Sequence, residues 1–218
     1  MDTNDLEQLK KKLPLTPGIL GKEKLFNSSV LIPLVLKNKE YYFLFQKRAK
    51  NIRQGGEICF PGGKIDPGID KTPRDTAIRE TIEELGIKKK NIKITGRLDT
   101  LVTALGISID PFIGTLELNN INELNINKDE VEEVFLLPVR HFCDNPPENY
   151  HIHLKAQPHY YEDGEKIVTF PAKELGLPDR YSNTWGSIKH KILLYPTGKG
   201  AVWGMTAELI YEVVRKLQ

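Results

Sequence analysis

A chain of 218 residues with 39% hydrophobic and 28% charged content is long enough to bury a sizeable core as one α/β or α+β domain. A formal net charge of +2 makes no case for nucleic-acid binding, and no apolar run approaches the roughly 20 residues that a membrane span needs. Two cysteines, Cys59 and Cys143, exclude a disulfide framework and lack metal-ligand spacing, so the expectation, with no signal pattern at the N-terminus, is a cytoplasmic protein with reduced thiols.

Residues 1–26 are polar and Lys-rich and carry Pro14, Pro17 and Gly18. They read as an N-terminal extension, a helix over 4–12 and then a loop, ahead of a single domain over 27–218. Ser28 to Leu36 has the composition of a buried strand and Tyr41 to Gln46 that of its neighbour, with a hairpin turn over Lys37–Glu40. The loop after them, Lys47 to Glu57, holds Arg48 and Arg53. By itself it reads as a solvated basic loop, although two forked guanidiniums on a Gly-containing segment also suit phosphate.

The most informative stretch is Phe60 to Ile87. Pro61-Gly62-Gly63 lets backbone approach a ligand without side-chain obstruction. Thr72 suits an N-cap, Pro73 the first helical position and Asp75 the positive helix end, while Gly86 supplies the stop. On this helix Ile78, Ile82 and Leu85 share an apolar stripe, expected to face the core, and Glu80, Glu83 and Glu84 gather on the other side. An acidic face of this kind is either a solvated surface or a divalent-cation site. Glu80 and Glu84 form a like-charge pair that costs roughly 0.2–0.5 kcal/mol, and only Arg79 is spaced to offset Glu83. Hard oxygen donors so arranged suit magnesium or manganese.

Downstream, Ile92 to Asp99 and Ile107 to Leu118 read as strands, punctuated by Gly106 and Pro111. Asp129 to Glu133 forms an acidic turn before a strand over Val134–Pro138. Further strands are expected over Tyr150–Leu154 and Lys166–Phe170, around the Asp163-Gly164 turn, and a last strand over Lys189–Tyr195. His151 and His153 share a strand face but have no third soft ligand, so an exposed face is the better reading. Pro171 to Trp185 is a loop-rich tract suited to shaping a pocket. The chain ends in an amphipathic helix from about Thr206, with Leu209, Ile210, Val213, Val214 and Leu217 as its core stripe.

Arg79-Glu80-Thr81-Ile82-Glu83-Glu84-Leu85-Gly86-Ile87 resembles the second half of the Nudix box of Nudix hydrolases, and Gly62-Gly63 resembles its glycine start. The usual box has a Glu eight residues before the Arg, where this chain has Lys71, and the Gly63–Arg79 gap is longer than usual. Asp66 or Asp70 is placed to fill that mainly structural role. Arg48-Ala49, Arg53, Gly56 and Phe60-Pro61-Gly62-Gly63 resemble the signature of the coenzyme A diphosphatase branch, with the Arg53–Gly56 gap one residue short and its frequent His absent. Val202 to Ala207 resembles the C-terminal segment of the same branch.

The resemblance implies a Nudix-type α/β/α sandwich with a mixed β-sheet. It also implies a Mg2+- or Mn2+-dependent hydrolase that splits coenzyme A or acyl-coenzyme A into phosphopantetheine and adenosine 3′,5′-bisphosphate. In that scheme Glu80, Glu83 and Glu84 hold the metal with the Gly62 carbonyl, and Arg79 orients Glu83. Arg48, Arg53, Gly62 and Gly63 bind substrate, and Glu130 or Glu133 is a further carboxylate. The partner is then a small nucleoside diphosphate, with no nucleic acid and no membrane, and a homodimer is left open. ADP-ribose or a nucleoside triphosphate as substrate, and a non-catalytic binding module, remain the alternatives.

Overall fold

The computed structural model describes residues 2–218. Helix α1 (Thr3–Lys12) starts at an Asp2–Asp5 capping box and buries none of its residues. Strands β1 (Phe26–Lys37) and β2 (Glu40–Arg48) make the expected hairpin. It turns on Asn38 and Lys39 at φ of 51° and 67°, the left-handed pair that a tight two-residue turn requires. Next come two short strands, β3 (Ile58–Cys59) and β4 (Gly62–Lys64), and helix α2 (Pro73–Leu85). They are followed by β5 (Ile92–Arg97), β6 (Leu101–Val102), β7 (Ile107–Leu116) and β8 (Val131–Pro138).

These eight strands form one mixed sheet. The β1–β2 hairpin is closed only near its turn, where Leu34–Lys37 pair with Glu40–Phe43. Further out the two strands diverge and the 58–64 segment enters the opening, β4 against Ser28–Val30 and β3 against Gln46 and Lys47. On its other edge β1 runs parallel to β7, and β2 runs antiparallel to β8. Pro111 interrupts nothing, contrary to its reading as punctuation. It lies between the stretches of β7 that pair with β6 and with β5, and its carbonyl accepts from Leu98 on that side. The missing N–H therefore points where no ladder bond is made.

Strand alternation divides the core between the two faces of the sheet. Leu31, Val35 and Leu44 pack with Ala77 and Leu85 of α2. Ile32, Phe43 and Phe45 pack on the opposite face with Phe142 of α3 (Val139–Asp144) and with Ala207 and Ile210 of α4 (Gly204–Leu217). Helices on both faces of a mixed sheet give the sandwich that the sequence implies. Within α4 the stripe from Leu209 to Val214 is buried as expected, but Leu217, in the last turn, is 64% exposed.

Helix α2 has the predicted ends. Thr72 caps it in a reciprocal box with Asp75, Pro73 is its first residue, and Gly86 leaves it at φ 64°. Its rotation differs from the expectation. Ile78 and Ile82 are only half-buried, and the fully buried side chains are Thr76, Ala77, Thr81, Glu84 and Leu85. The buried arc is turned by most of one residue's angle toward the acidic side. Small residues let the helix lie close to the sheet, and Glu84 is admitted because the 58–64 segment supplies it with a polar partner.

The C-terminal region also differs in detail. The Asp163-Gly164 turn closes a separate hairpin of β10 (His159–Glu162) and β11 (Glu165–Val168). Strand β9 (Glu148–Ala156) pairs instead with β12 (Trp185–Thr197), whose other edge carries β13 (Gly200–Trp203), so Lys189–Tyr195 is not the last strand. The polar, exposed alternation of β9 concealed this long-range pairing. His151 and His153 are exposed, and His153 Nδ1 lies 2.9 Å from Ser187 Oγ.

Phe45 is fully buried, with its ring stacked 4.9 Å from that of Phe60 and 5.8 Å from that of Phe135. Phe45→Ala is expected to cost about 3–5 kcal/mol of stability, read from the urea midpoint at constant m-value. A cost below about 1 kcal/mol would show that this cluster does not hold the fold together.

Candidate active site

The site lies where α2 crosses the 58–64 segment. Gly62 has no room for a side chain, because a Cβ there would run into the Ser29 carbonyl and Val30 of the neighbouring strand. At Gly63 a Cβ would occupy the position of the Glu80 carboxylate. The two glycines therefore let α2 bring Glu80 and Glu84 onto the backbone itself. The Gly62 N–H donates to Glu84 Oε2 at 2.9 Å.

These two carboxylates stand in different surroundings. Glu84 is 3% exposed and makes no salt bridge among the described residues. Burial pushes its carboxyl up to about 7, opposed by the Gln46 amide and the Gly62 N–H and reinforced by the charge of Glu80. Glu80 is also raised, mainly by burial, with Arg79 pulling the other way at 2.9 Å. Two acidic groups converging where water is largely excluded form an incomplete charge balance. The donor set suits a hard divalent cation, and it leaves room for further oxygen ligands from substrate and solvent.

Arg79 organises the acidic side of the helix. Its Nε and Nη2 donate to the two oxygens of Asp70 at 3.0 and 2.9 Å, and Nη1 reaches both Glu80 and Glu83 at 2.9 Å. Asp70 is itself buried and also accepts from Thr76 Oγ1 at 2.9 Å. Of the two candidates for the missing Glu, Asp70 is the one that holds the arginine, and the Asp66 backbone N–H donates to Asp70 Oδ2 at 3.2 Å.

A cleft of about 730 Å³ opens over the carboxylates. Arg48, Arg53, Gly62, Gly63, Glu80, Glu84 and Glu130 all line it, so the fold gathers most of the residues singled out from the sequence. The Arg48 guanidinium is braced on the Arg53 carbonyl at 3.1 Å. Glu83 lies outside the cleft, half exposed and held by Arg79. Glu133 also lies outside it and pairs with Lys199 at 3.4 Å. Among the described residues no three acidic, imidazole or thiol groups are close enough together to enclose a metal unaided.

Pro171–Trp185, expected to shape the pocket, contributes nothing to this lining. The apolar wall comes from Phe26, Val30, Leu105, Ile107, Met205 and Leu209. Lys64 and Gln54 add polar groups that the sequence reading passed over. Lys64 had one available signal, its place directly after the glycine pair. Neither free thiol suits nucleophilic chemistry at the site, since burial pushes Cys59 up to about 11 and Cys143 does not line the cleft.

The family model of the NUDIX domain matches residues 25–160, more than half of the chain. The chain belongs to the Nudix family. It is 39% identical over 114 residues to Nudix hydrolase 3 of Caenorhabditis elegans, covering 51% of this chain and 47% of that protein. It is 36% identical over 115 residues to the peroxisomal coenzyme A diphosphatase NUDT7 of Mus musculus, covering 52% and 48%. A longer match, 28% over 192 residues, joins it to the mitochondrial coenzyme A diphosphatase NUDT8 of Mus musculus and covers 87% of this chain and 77% of that protein. The chain spans about half the length of the first two relatives. No helix among the described residues is long and apolar enough to cross a membrane.

The Arg79 side chain holds the Asp70 carboxyl down at about 2. A carboxyl lowered on folding contributes stability above its unfolded value near 3.9, and that stability is lost as pH falls through the folded value. Asp70→Asn is therefore expected to lower stability by about 2 kcal/mol at neutral pH. The gap to the unmodified protein should close between about pH 4 and pH 2 in chemical denaturation. A gap that stays constant over that window would remove Asp70 from the charged network.

Proposed function

We propose that this Nudix-family chain is a divalent-metal-dependent diphosphatase, and that its substrate is coenzyme A or an acyl derivative. One observation carries the reading: two carboxylates, the buried Glu84 and the part-buried Glu80, meet a side-chain-free backbone at Gly62-Gly63 on the floor of a cleft that also holds two arginines. Its support on the substrate side is the similarity to proteins named coenzyme A diphosphatases. The apolar wall formed by Phe26, Ile107 and Met205 suits a long, mostly uncharged arm better than the second sugar of ADP-ribose.

Water adds to one phosphorus of the diphosphate and the bridging P–O bond breaks, giving phosphopantetheine and adenosine 3′,5′-bisphosphate, while the water's proton passes to a base. A bound Mg2+ or Mn2+ would neutralise diphosphate charge and acidify water. Glu80 and Glu84 would hold it with the Gly62 carbonyl as a further donor, while Glu83, outside the cleft and paired with Arg79, would have to leave that pairing to join them. Arg79 holds Glu80 and Glu83 in place through ion pairs at 2.9 Å. Arg48 and Arg53 offer forked donors to phosphate oxygens, and Lys64 adds a point charge nearby. Glu130, on the cleft wall, is placed better than Glu133 to accept the proton.

Coenzyme A incubated with Mg2+ should yield the two products by mass spectrometry, faster than ADP-ribose is cleaved. A rate on ADP-ribose equal or higher would reject the substrate assignment. Chelation by EDTA should abolish turnover and added Mn2+ should restore it. Glu84→Gln should lower kcat by about 10³-fold with the fold retained by circular dichroism. Turnover that survives this substitution would reject the mechanism.

A further inference from the structure

Gln46 is a fully buried amide in the middle of the sheet, with 0% exposure. Its backbone pairs with Cys59 of β3 on one side and Val134 of β8 on the other. Strand alternation decides where the side chain goes. Phe43 and Phe45 serve the α3/α4 face, and Leu44 packs against Ala77 and Leu85 of α2. Gln46, two residues beyond Leu44, therefore extends under α2, where Glu84 hangs from the helix.

Core packing does not account for an amide there. Leu, Ile or Met would continue the apolar face of β2, whereas a buried amide costs several kcal/mol unless its groups are bonded. Among the described residues Gln46 Oε1 has no hydrogen-bond partner, and Nε2 has the Cys59 sulfur at 3.8 Å, a weak acceptor. A strong acceptor on this face is the Glu84 carboxylate.

We propose that Gln46 is a positioning residue for Glu84: its amide N–H, presented from the centre of the sheet, holds the Glu84 carboxylate in the orientation in which it receives the divalent cation. The Gly62 N–H and the Gln46 amide then brace one carboxylate from the loop and from the sheet. The interaction between amide and carboxylate also favours the ionised form of Glu84, in line with this geometry. Outer partners of this sort hold ligands against thermal reorientation before any ion arrives, and losing one typically weakens metal binding about 10–100-fold. The inference rests on the reading of Glu84 as a cation ligand.

The test measures Mn2+ binding to the intact, nucleotide-free chain by electron paramagnetic resonance or calorimetry, so turnover is not the readout. Gln46→Met keeps the volume and removes the amide. It should raise the Mn2+ Kd about tenfold, with the thermal midpoint unchanged or higher. Cys59→Ala removes the other neighbour of the amide and should leave the Kd within about twofold. If Gln46→Met leaves the Kd unchanged, or if Cys59→Ala weakens binding as much, Gln46 acts through packing and the proposal is overturned. Should Gln46→Met fail to fold, Gln46→Asn withdraws the amide by one methylene. The same loss of affinity is expected of it, and unaltered binding would equally overturn the proposal. Glu84→Gln separates the two levels of inference. If it retains full Mn2+ affinity, the cation reading itself fails. If it loses affinity while Gln46→Met does not, only the role of Gln46 fails.

Discussion

The site depends on a hairpin that opens. Strands β1 and β2 leave their tight turn paired, then part, and residues 58–64 complete the hydrogen bonds on both exposed inner edges. An unpaired edge in the middle of a sheet would leave several backbone groups without partners, each costing about 1–3 kcal/mol. The inserted segment therefore has little freedom to shift. With it fixed, Gly62 and Gly63 become a rigid floor over which α2 passes, and the absence of two side chains sets how near the helix can come. The distance from Glu80 and Glu84 to the backbone is thus set by sheet geometry rather than by loop conformation.

This arrangement explains why α2 tolerates a buried acid. On an isolated amphipathic helix Glu84 would face water and Ile78 and Ile82 would face the core. In the fold the helix is rotated so that Ala77, Thr81 and Glu84 meet the sheet, with the isoleucines at the margin. Desolvating a carboxylate costs several kcal/mol unless it is compensated. Here the Gly62 N–H returns part of that cost, and the rest stays as an unmet demand for positive charge. Arg79 does not meet it, because its guanidinium is already committed to Asp70, Glu80 and Glu83. The same residue that steadies the acidic face leaves its innermost member uncompensated.

Much of this was readable from the chain. The ends of α2, the glycine pair, the first hairpin and the α4 stripe follow from local rules, since caps, left-handed turns and periodicity act over a few residues. The arginines and carboxylates of the cleft were recognisable as types, and their convergence follows from one contiguous stretch, residues 48–84. What escaped depends on distant partners. The rotation of α2 is set by the 58–64 segment, and the β9–β12 pairing joins residues some 40 apart without a hydrophobic alternation to announce it. The apolar wall of the cleft takes Phe26, Leu105 and Met205 from three remote elements, none distinguishable locally from an ordinary surface or core residue.

Position 46 shows how the two kinds of information combine. Within Tyr41–Gln46 the sequence reads as a strand whose last residue marks the approach to a polar loop, and a glutamine at such an end ordinarily faces water. The sheet continues past it on both sides, so the same residue is enclosed completely. A polar group kept in so apolar a place needs a partner strong enough to offset its desolvation. The partner we propose is Glu84, carried on a helix that begins 27 residues later in the chain. The chemistry of the cleft therefore reaches down into the sheet, and the boundary between core and site runs through the middle of β2.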